Sequence, residues 1–317
     1  RRVVAASFTP KAASRFEEQI RDYADGCLQS LIAKGGGDIV EGFALRVTMA
    51  TISGLLGVPA EDFDQMKRWS DDISSYFGRL ARQAHGEPGD EDGANAFFRY
   101  MADHLERARN SDDETVAGNV ARLLADGVIS EREAMHFCAF LFVAGHETTT
   151  VLLANTFRQF IEEPALLERI RANPADARLF VEEMVRYRGT VHRLSRRAVT
   201  DIEIAGTLIP AGDIVILLPA SANRDSAVFS DGDRFDMDRD TSPHLGFGHG
   251  IHSCLGQHLA RLEGAIGVSL IAERLASIEF AEPDSIDFVV GGNLANSGPS
   301  FLNTRIVPRM QIAAERV

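Results

Sequence analysis

Apolar residues recur at intervals of three and four along the chain up to about Tyr187, the spacing that lines one face of a helix. The first clear start is Thr9 followed by Pro10, a capping hydroxyl and a proline at the first helical position. The helix it opens is predicted to run to Gly35-Gly36-Gly37, and Arg1 to Ala6 reads as the inside of an earlier helix. Acidic, glycine-rich stretches at 86–93 and 110–115 read as loops. Ser130-Glu131-Arg132-Glu133 is a capping box, and the helix behind it should continue to Pro164, a span of roughly 45–50 Å. From residue 199 the period shortens to two: Ile202 and Ile204, then Ile214 to Leu218, bracket Pro210-Ala211-Gly212 as strand, turn and strand. Residues 219–250 form a long segment rich in Asp, Arg, Pro and Gly, and a loop of that length inside a compact domain is usually functional. A last helix is predicted from about Leu255 to Leu275, with irregular strands after it. The class is mainly α with a small β portion, in a single domain over residues 1–317.

Charge and cysteine usage narrow the function. A net charge of −13 argues against nucleic acid, which demands a basic face. Cys27, Cys138 and Cys254 are too few and too scattered for a disulfide framework, so a cytoplasmic location is expected. The most apolar stretch, 135–157, is interrupted by His146-Glu147-Thr148-Thr149-Thr150, a centre that a membrane span would not tolerate; no membrane anchor is read.

Two runs carry candidate chemistry. In Phe247-Gly248-His249-Gly250-Ile251-His252-Ser253-Cys254-Leu255-Gly256, glycines surround one cysteine just before a helix. Glycines let a backbone approach a flat ligand, and a helix N-terminus favours thiolate, the form a metal needs. Gly246, Gly248 and Gly250 could mimic a dinucleotide loop, but no strand precedes them. His249, His252, Cys254 and His258 could hold zinc, though in no common structural spacing. The second run, Ala144-Gly145-His146-Glu147-Thr148-Thr149, puts an acid and hydroxyls inside an apolar helix, where threonines can bond back to a carbonyl. Glu183-x-x-Arg186, taken alone, would be an ordinary surface ion pair.

The cysteine run is similar, at Phe247, Gly250, His252, Cys254 and Gly256, to the cysteine loop of cytochromes P-450, and the resemblance extends over nearly the whole chain. It implies the fold of that family without the part before its C-helix. It also implies a monooxygenase that inserts one oxygen atom of O2 into a C–H bond of a small apolar substrate, using haem b. Electrons would come from NAD(P)H through a ferredoxin or flavin reductase. Cys254 would be the iron ligand and Phe247 would pack near its sulfur. Gly248, Gly256 and Ala144 would lie against the cofactor, with His252, Arg196 and Arg1 on its propionates and Arg193 and Arg197 as surface alternatives to Arg196. Glu147 and Thr148 resemble the family's acid–alcohol pair on the distal helix, and Thr149 would be aimed elsewhere. Glu183, Arg186 and Arg239 match a buried scaffold triad. The substrate pocket would include Phe140, Val143, Ala144, Val191 and Leu194, with Gly189-Thr190-Val191 standing where the family often has Pro-Pro-Val. Arg1, Arg2, Lys11, Arg15 and Arg261 are candidates for a cationic landing site for an acidic electron donor. Two other classes stay open from the residues: a haem-binding sensor or carrier without catalysis, and a zinc-stabilised helical protein.

Overall fold

The computed structural model describes residues 4–81, 91–109, 115–290 and 297–309. In chain order the helices are α1 (Pro10–Ser14), α2 (Glu17–Ala33), α3 (Leu45–Leu56), α4 (Phe63–Ala81), α5 (Glu91–Arg109), α6 (Val116–Ala125), α7 (Glu131–Glu162), α8 (Ala165–Ala172), α9 (Ala177–Tyr187), α10 (Pro219–Ala222) and α11 (Gln257–Arg274). The strands are β1 (Gly36–Asp38), β2 (Leu194–Arg197), β3 (Ile202–Ile204), β4 (Thr207–Ile209), β5 (Ile214–Leu217), β6 (Leu275–Phe280), β7 (Ile286–Val290) and β8 (Ser297–Pro308).

Thr9 caps α1, its hydroxyl accepting from the Ala12 amide at 3.2 Å. The expected single helix from Thr9 to the glycines is in fact two. Arg15 and Phe16 bond back three residues, to Ala12 and Ala13, which tightens the chain and re-aims it before α2. Phe16 at this corner packs against both hydrophobic cores. Residues 91–93, expected in a loop, begin α5, while 86–90 and 110–114 lie outside the described residues.

The axis of the molecule is α7, 32 residues and about 48 Å long. Both bonds of its capping box form: Glu133 N donates to Ser130 Oγ and Ser130 N to Glu133 Oε2. By length and composition α7 could cross a membrane, but 61% of its most apolar window is buried inside the molecule. Its two halves belong to different cores. Ala134 to Val143 pack with α3, α4, α5 and α6. Leu152 to Phe160 pack with α2, α8, α9, α11 and the β6–β8 sheet. The polar run His146 to Thr150 falls at the seam between them.

The main sheet is antiparallel, ordered β1-β8-β6, with β7 also paired to β8. Gly36 must be glycine: a Cβ there would stand 1.9 Å from the Thr304 carbonyl oxygen. The expected hairpin between 202–204 and 214–218 does not form. β3 pairs instead with β4, and β5 returns to β2, with Leu194 opposite Leu217. The turn is Ala205-Gly206, both at positive φ, which suits a two-residue hairpin whose twist matches its strands.

Candidate functional site

Two segments remote in sequence face each other across a cavity of about 220 Å3. From α7 come Thr148, Thr149 and Leu152; opposite them lie Leu245 to Gly248, His252 and Cys254. Val185, Gly189, Thr190, Val191, Leu194, Pro219 and Ala260 complete the lining, which is mostly apolar. A larger groove of about 680 Å3, edged by α1, α9 and α11, is more open and contains neither Cys254 nor Thr148.

The cysteine wall is a folded loop held by its own backbone. Gly248 N donates to Leu245 O at 2.9 Å, Ser253 N to Gly250 O at 3.1 Å, and Cys254 N to Phe247 O at 2.7 Å. Gly248 and Gly250 take φ of +70° and +66°, which only glycine adopts without cost. Gly246 lies so close to α9 that a Cβ would meet Val185 Cγ1 at 2.4 Å. The loop delivers a half-buried Cys254 to the start of α11, whose N-cap is Gly256. The amides and dipole there favour a thiolate.

The α7 wall makes two polar contacts at Thr148. Thr148 Oγ1 donates back to Ala144 O at 2.9 Å, and the Thr148 carbonyl accepts from Thr190 Oγ1 at 3.1 Å. Gly145 lets α3 come close, since a Cβ there would stand 2.5 Å from Ile52 Cδ1. Thr48 and Thr150 hydroxyls meet at 2.8 Å across the same contact. His146 is fully buried, its Nδ1 2.9 Å from Phe142 O, and burial pushes its pKa down to about 4. Glu147 is turned about 100° from Thr148 around the helix and accepts a bond from Ser74 on α4, outside the cavity lining.

The sequence-derived site residues therefore separate into groups. Cys254, Thr148, Phe247, Gly248, His252, Val191 and Leu194 line one cavity. Ala144, Glu147 and Gly256 adjoin it without lining it. Val143, expected in the pocket wall, is 2% exposed inside the α3–α6 core, because it lies on the α7 face turned to those helices. Phe140, expected beside it, is 61% exposed. Thr149, expected to aim elsewhere, lines the cavity with Thr148. Arg196 is exposed on β2, its guanidinium bonded to Ser195 O, and Arg1 lies outside the described residues. Arg2 does too, and Arg261, expected in a landing patch, is tied to Glu182. Among the described residues no three His, Cys, Asp or Glu side chains converge to hold a metal ion, so His249, His252, Cys254 and His258 make no zinc site.

Behind the cavity, Glu183 and Arg186 form a fully buried ion pair at 2.6 Å. Arg186 also donates to the carbonyls of Asn223, Gly232 and Arg234, and Arg239 approaches Glu183 at 3.5 Å, so the 219–240 segment is pinned onto α9. Glu263 had no sequence signal beyond helical periodicity. It is 3% exposed on α11 and its Oε1 has no hydrogen-bond partner. Burial raises its pKa to about 8, against a lowering contribution from Thr51. The Thr51 hydroxyl donates to Val47 O at 2.9 Å.

The residues present fit a flat, thiolate-bound cofactor. One sulfur at a helix start faces an apolar cavity, glycine backbone borders it, and the opposite helix opens a hydroxyl onto the same space. Comparison with known proteins agrees. The cytochrome P450 family model matches residues 47–277. The chain is 36% identical over 290 residues to cytochrome P450 109 of Bacillus spizizenii, covering 90% of this chain and 71% of that protein. It is 33% identical over 289 residues to the mycinamicin IV hydroxylase/epoxidase of Micromonospora griseorubida, with the same coverage, 90% and 71%. Among solved structures, the P450 enzyme CxnD for C–S bond formation in chuangxinmycin biosynthesis superposes with a TM-score of 0.89 at 29% identity, over 97% of this chain and 75% of that one. CYP109E1 from Bacillus megaterium, solved in complex with testosterone, gives 0.86 at 29% identity, over 96% and 80%. A cysteine loop and a threonine-bearing helix facing one cavity, within a fold shared at this similarity, settle the family: the chain belongs to the cytochromes P450.

Proposed function

We propose that Cys254 is the iron ligand of this haem-thiolate monooxygenase and that Thr148 governs proton delivery on the opposite side of the same cavity. The observation that carries this is the shared cavity itself: Cys254 and Thr148 both line it. Haem b, when bound, supplies oxygen activation, with electrons reaching it from NAD(P)H through redox partners. The chain's own residues do the rest. The α11 N-terminus stabilises the sulfur as thiolate, and Val191, Leu194 and Leu152 exclude water beside the site. Thr148 holds a hydroxyl at the cavity edge, and Glu147, bonded to Ser74 on the other side of the helix, connects that edge to α4.

The apolar lining supports a small apolar substrate oxidised at a C–H bond. A ferredoxin or flavin reductase as donor, a cytoplasmic location and one domain over residues 1–317 complete the reading. The test is the carbon monoxide difference spectrum of the reduced protein. The wild type should show the thiolate-type Soret band and Cys254→Ser should lose it. Its survival in Cys254→Ser would shift the ligand to another residue.

A further inference from the structure

Phe247 opens the cysteine loop, and its carbonyl closes that loop by accepting from Cys254 N. Its ring is held from behind. The Arg261 guanidinium, from the second turn of α11, lies 4.3 Å from the ring centroid, and the His244 ring lies 5.9 Å away. Both groups are tied to one carboxylate, Glu182 on α9. Arg261 approaches it with two nitrogens, Nε onto Oε1 and Nη2 onto Oε2 at 3.1 Å. His244 Nε2 meets Oε2 at 3.1 Å. Because His244 Nδ1 accepts from the Gly246 amide at 3.1 Å, the ring proton sits on Nε2 and is donated to Glu182. Gln257 steadies the guanidinium further, accepting from Nη1 at 2.8 Å.

Burial alone would push the Glu182 carboxyl up, yet the bonds from His244 and Arg261 outweigh it and hold it at about 2. The carboxylate is thus a fixed anion, joining α9, the cysteine loop and α11 at one point. Its neighbour Glu183 serves the separate buried pair with Arg186, so the two adjacent acids perform different tasks.

We propose that Glu182 is a positioning residue for the thiolate: by clamping Arg261 and His244 it fixes the Phe247 ring and the loop that carries Cys254. The proposal rests on Cys254 being the iron ligand. It predicts that releasing the clamp lets the loop move and lets solvent protonate the sulfur, while the distal wall on α7 is untouched. Double-mutant reasoning gives a clean signature, since residues acting through one carboxylate are not independent.

The experiment uses the haem-loaded protein, reduced and carbon monoxide-bound, and follows the conversion of the thiolate-type Soret band to the thiol type under mild warming. Glu182→Gln and Arg261→Gln should each speed that conversion roughly five- to tenfold, and the double variant should be no faster than either single one. The reduction potential adds a readout that loosening alone would not move in two directions. Removing the anion in Glu182→Gln should raise it, and removing the cation in Arg261→Gln should lower it. Arg261→Lys keeps the charge but loses the two-nitrogen grip and the flat stacking surface, so it should speed conversion with the potential nearly unchanged. It decides the matter if Glu182→Gln fails to retain haem. Wild-type conversion rates in these variants, or rates that multiply in the double, would overturn the proposal. A wild type without a thiolate-type band would instead overturn the ligand assignment.

Discussion

At the scale of single residues, the site is organised by what each hydroxyl and carboxyl has already committed to. Thr148 gives its proton to the Ala144 carbonyl, so its oxygen is presented to the cavity as an acceptor until a ligand offers something better. We expect Thr148→Ala to consume NAD(P)H at a substantial rate while product per NAD(P)H falls by roughly one to two orders of magnitude, the missing electrons appearing as hydrogen peroxide. Oxygen, peroxide and product measured together check this. Since Thr149 lines the same cavity, Thr149→Ala should also lose coupling, to a smaller extent. Glu263 gives a different kind of prediction. Its folded pKa, about 8, exceeds the unfolded carboxyl value, so its contribution to stability is complete below about pH 4.5 and is lost as pH rises toward 8. His146 has the opposite sense: depressed to about 4, it costs stability as pH falls below about 6.5. Between about 6.5 and 8 Glu263 slopes, and Glu263→Gln should reduce the pH dependence of urea-unfolding stability toward pH 8, gaining on the order of 1–3 kcal/mol there. A slope toward pH 8 identical in wild type and Glu263→Gln would count against a neutral Glu263 in the fold.

At the scale of elements, local signals were legible and long-range pairings were not. The capping box at Ser130, the proline start at Pro10 and the glycine-hemmed cysteine each act within a few residues, and each is read from neighbours. Which strand pairs with Ile214 to Leu217 depends on a partner about twenty residues away, and Ala205-Gly206 offered a better turn than Pro210-Ala211-Gly212. Thr149 and Val143 face otherwise than expected for the same reason, because facing is set by the neighbouring elements and not by the α7 sequence. The closeness of α3 to α7 is itself testable. Gly145→Ala pushes a methyl to 2.5 Å from Ile52 Cδ1, a side-chain end that can give way in part, so we expect a loss of about 1–3 kcal/mol. Ile52→Val should restore part of that loss, read from paired denaturation curves.

At the scale of the whole molecule, a net charge of −13 leaves any acidic electron donor dependent on a local cationic patch. Arg261 is bound to Glu182 and stacked on Phe247, and Arg21 is paired with Glu273, which shifts the weight to exposed cations such as Lys11. Reduction by an acidic ferredoxin should slow as salt rises, and Lys11→Glu should lower the association rate several-fold in stopped-flow measurements. Salt-independent rates would count against charged docking. The seam on α7 has a consequence of another kind. The body of α11 and the α9 segment that supports the cysteine loop belong to one core, while α4 to α6 and most of α3 pack in the other. A chain built this way can be rebuilt on one side without moving the furnace: among the described residues that line the cavity none comes from α3 to α6, so volume exchanged within those helices leaves the sulfur at its address. A library confined to the α3–α6 core should therefore leave the carbon monoxide spectrum unaltered, whereas the same freedom granted to α9 and α11 should erode it.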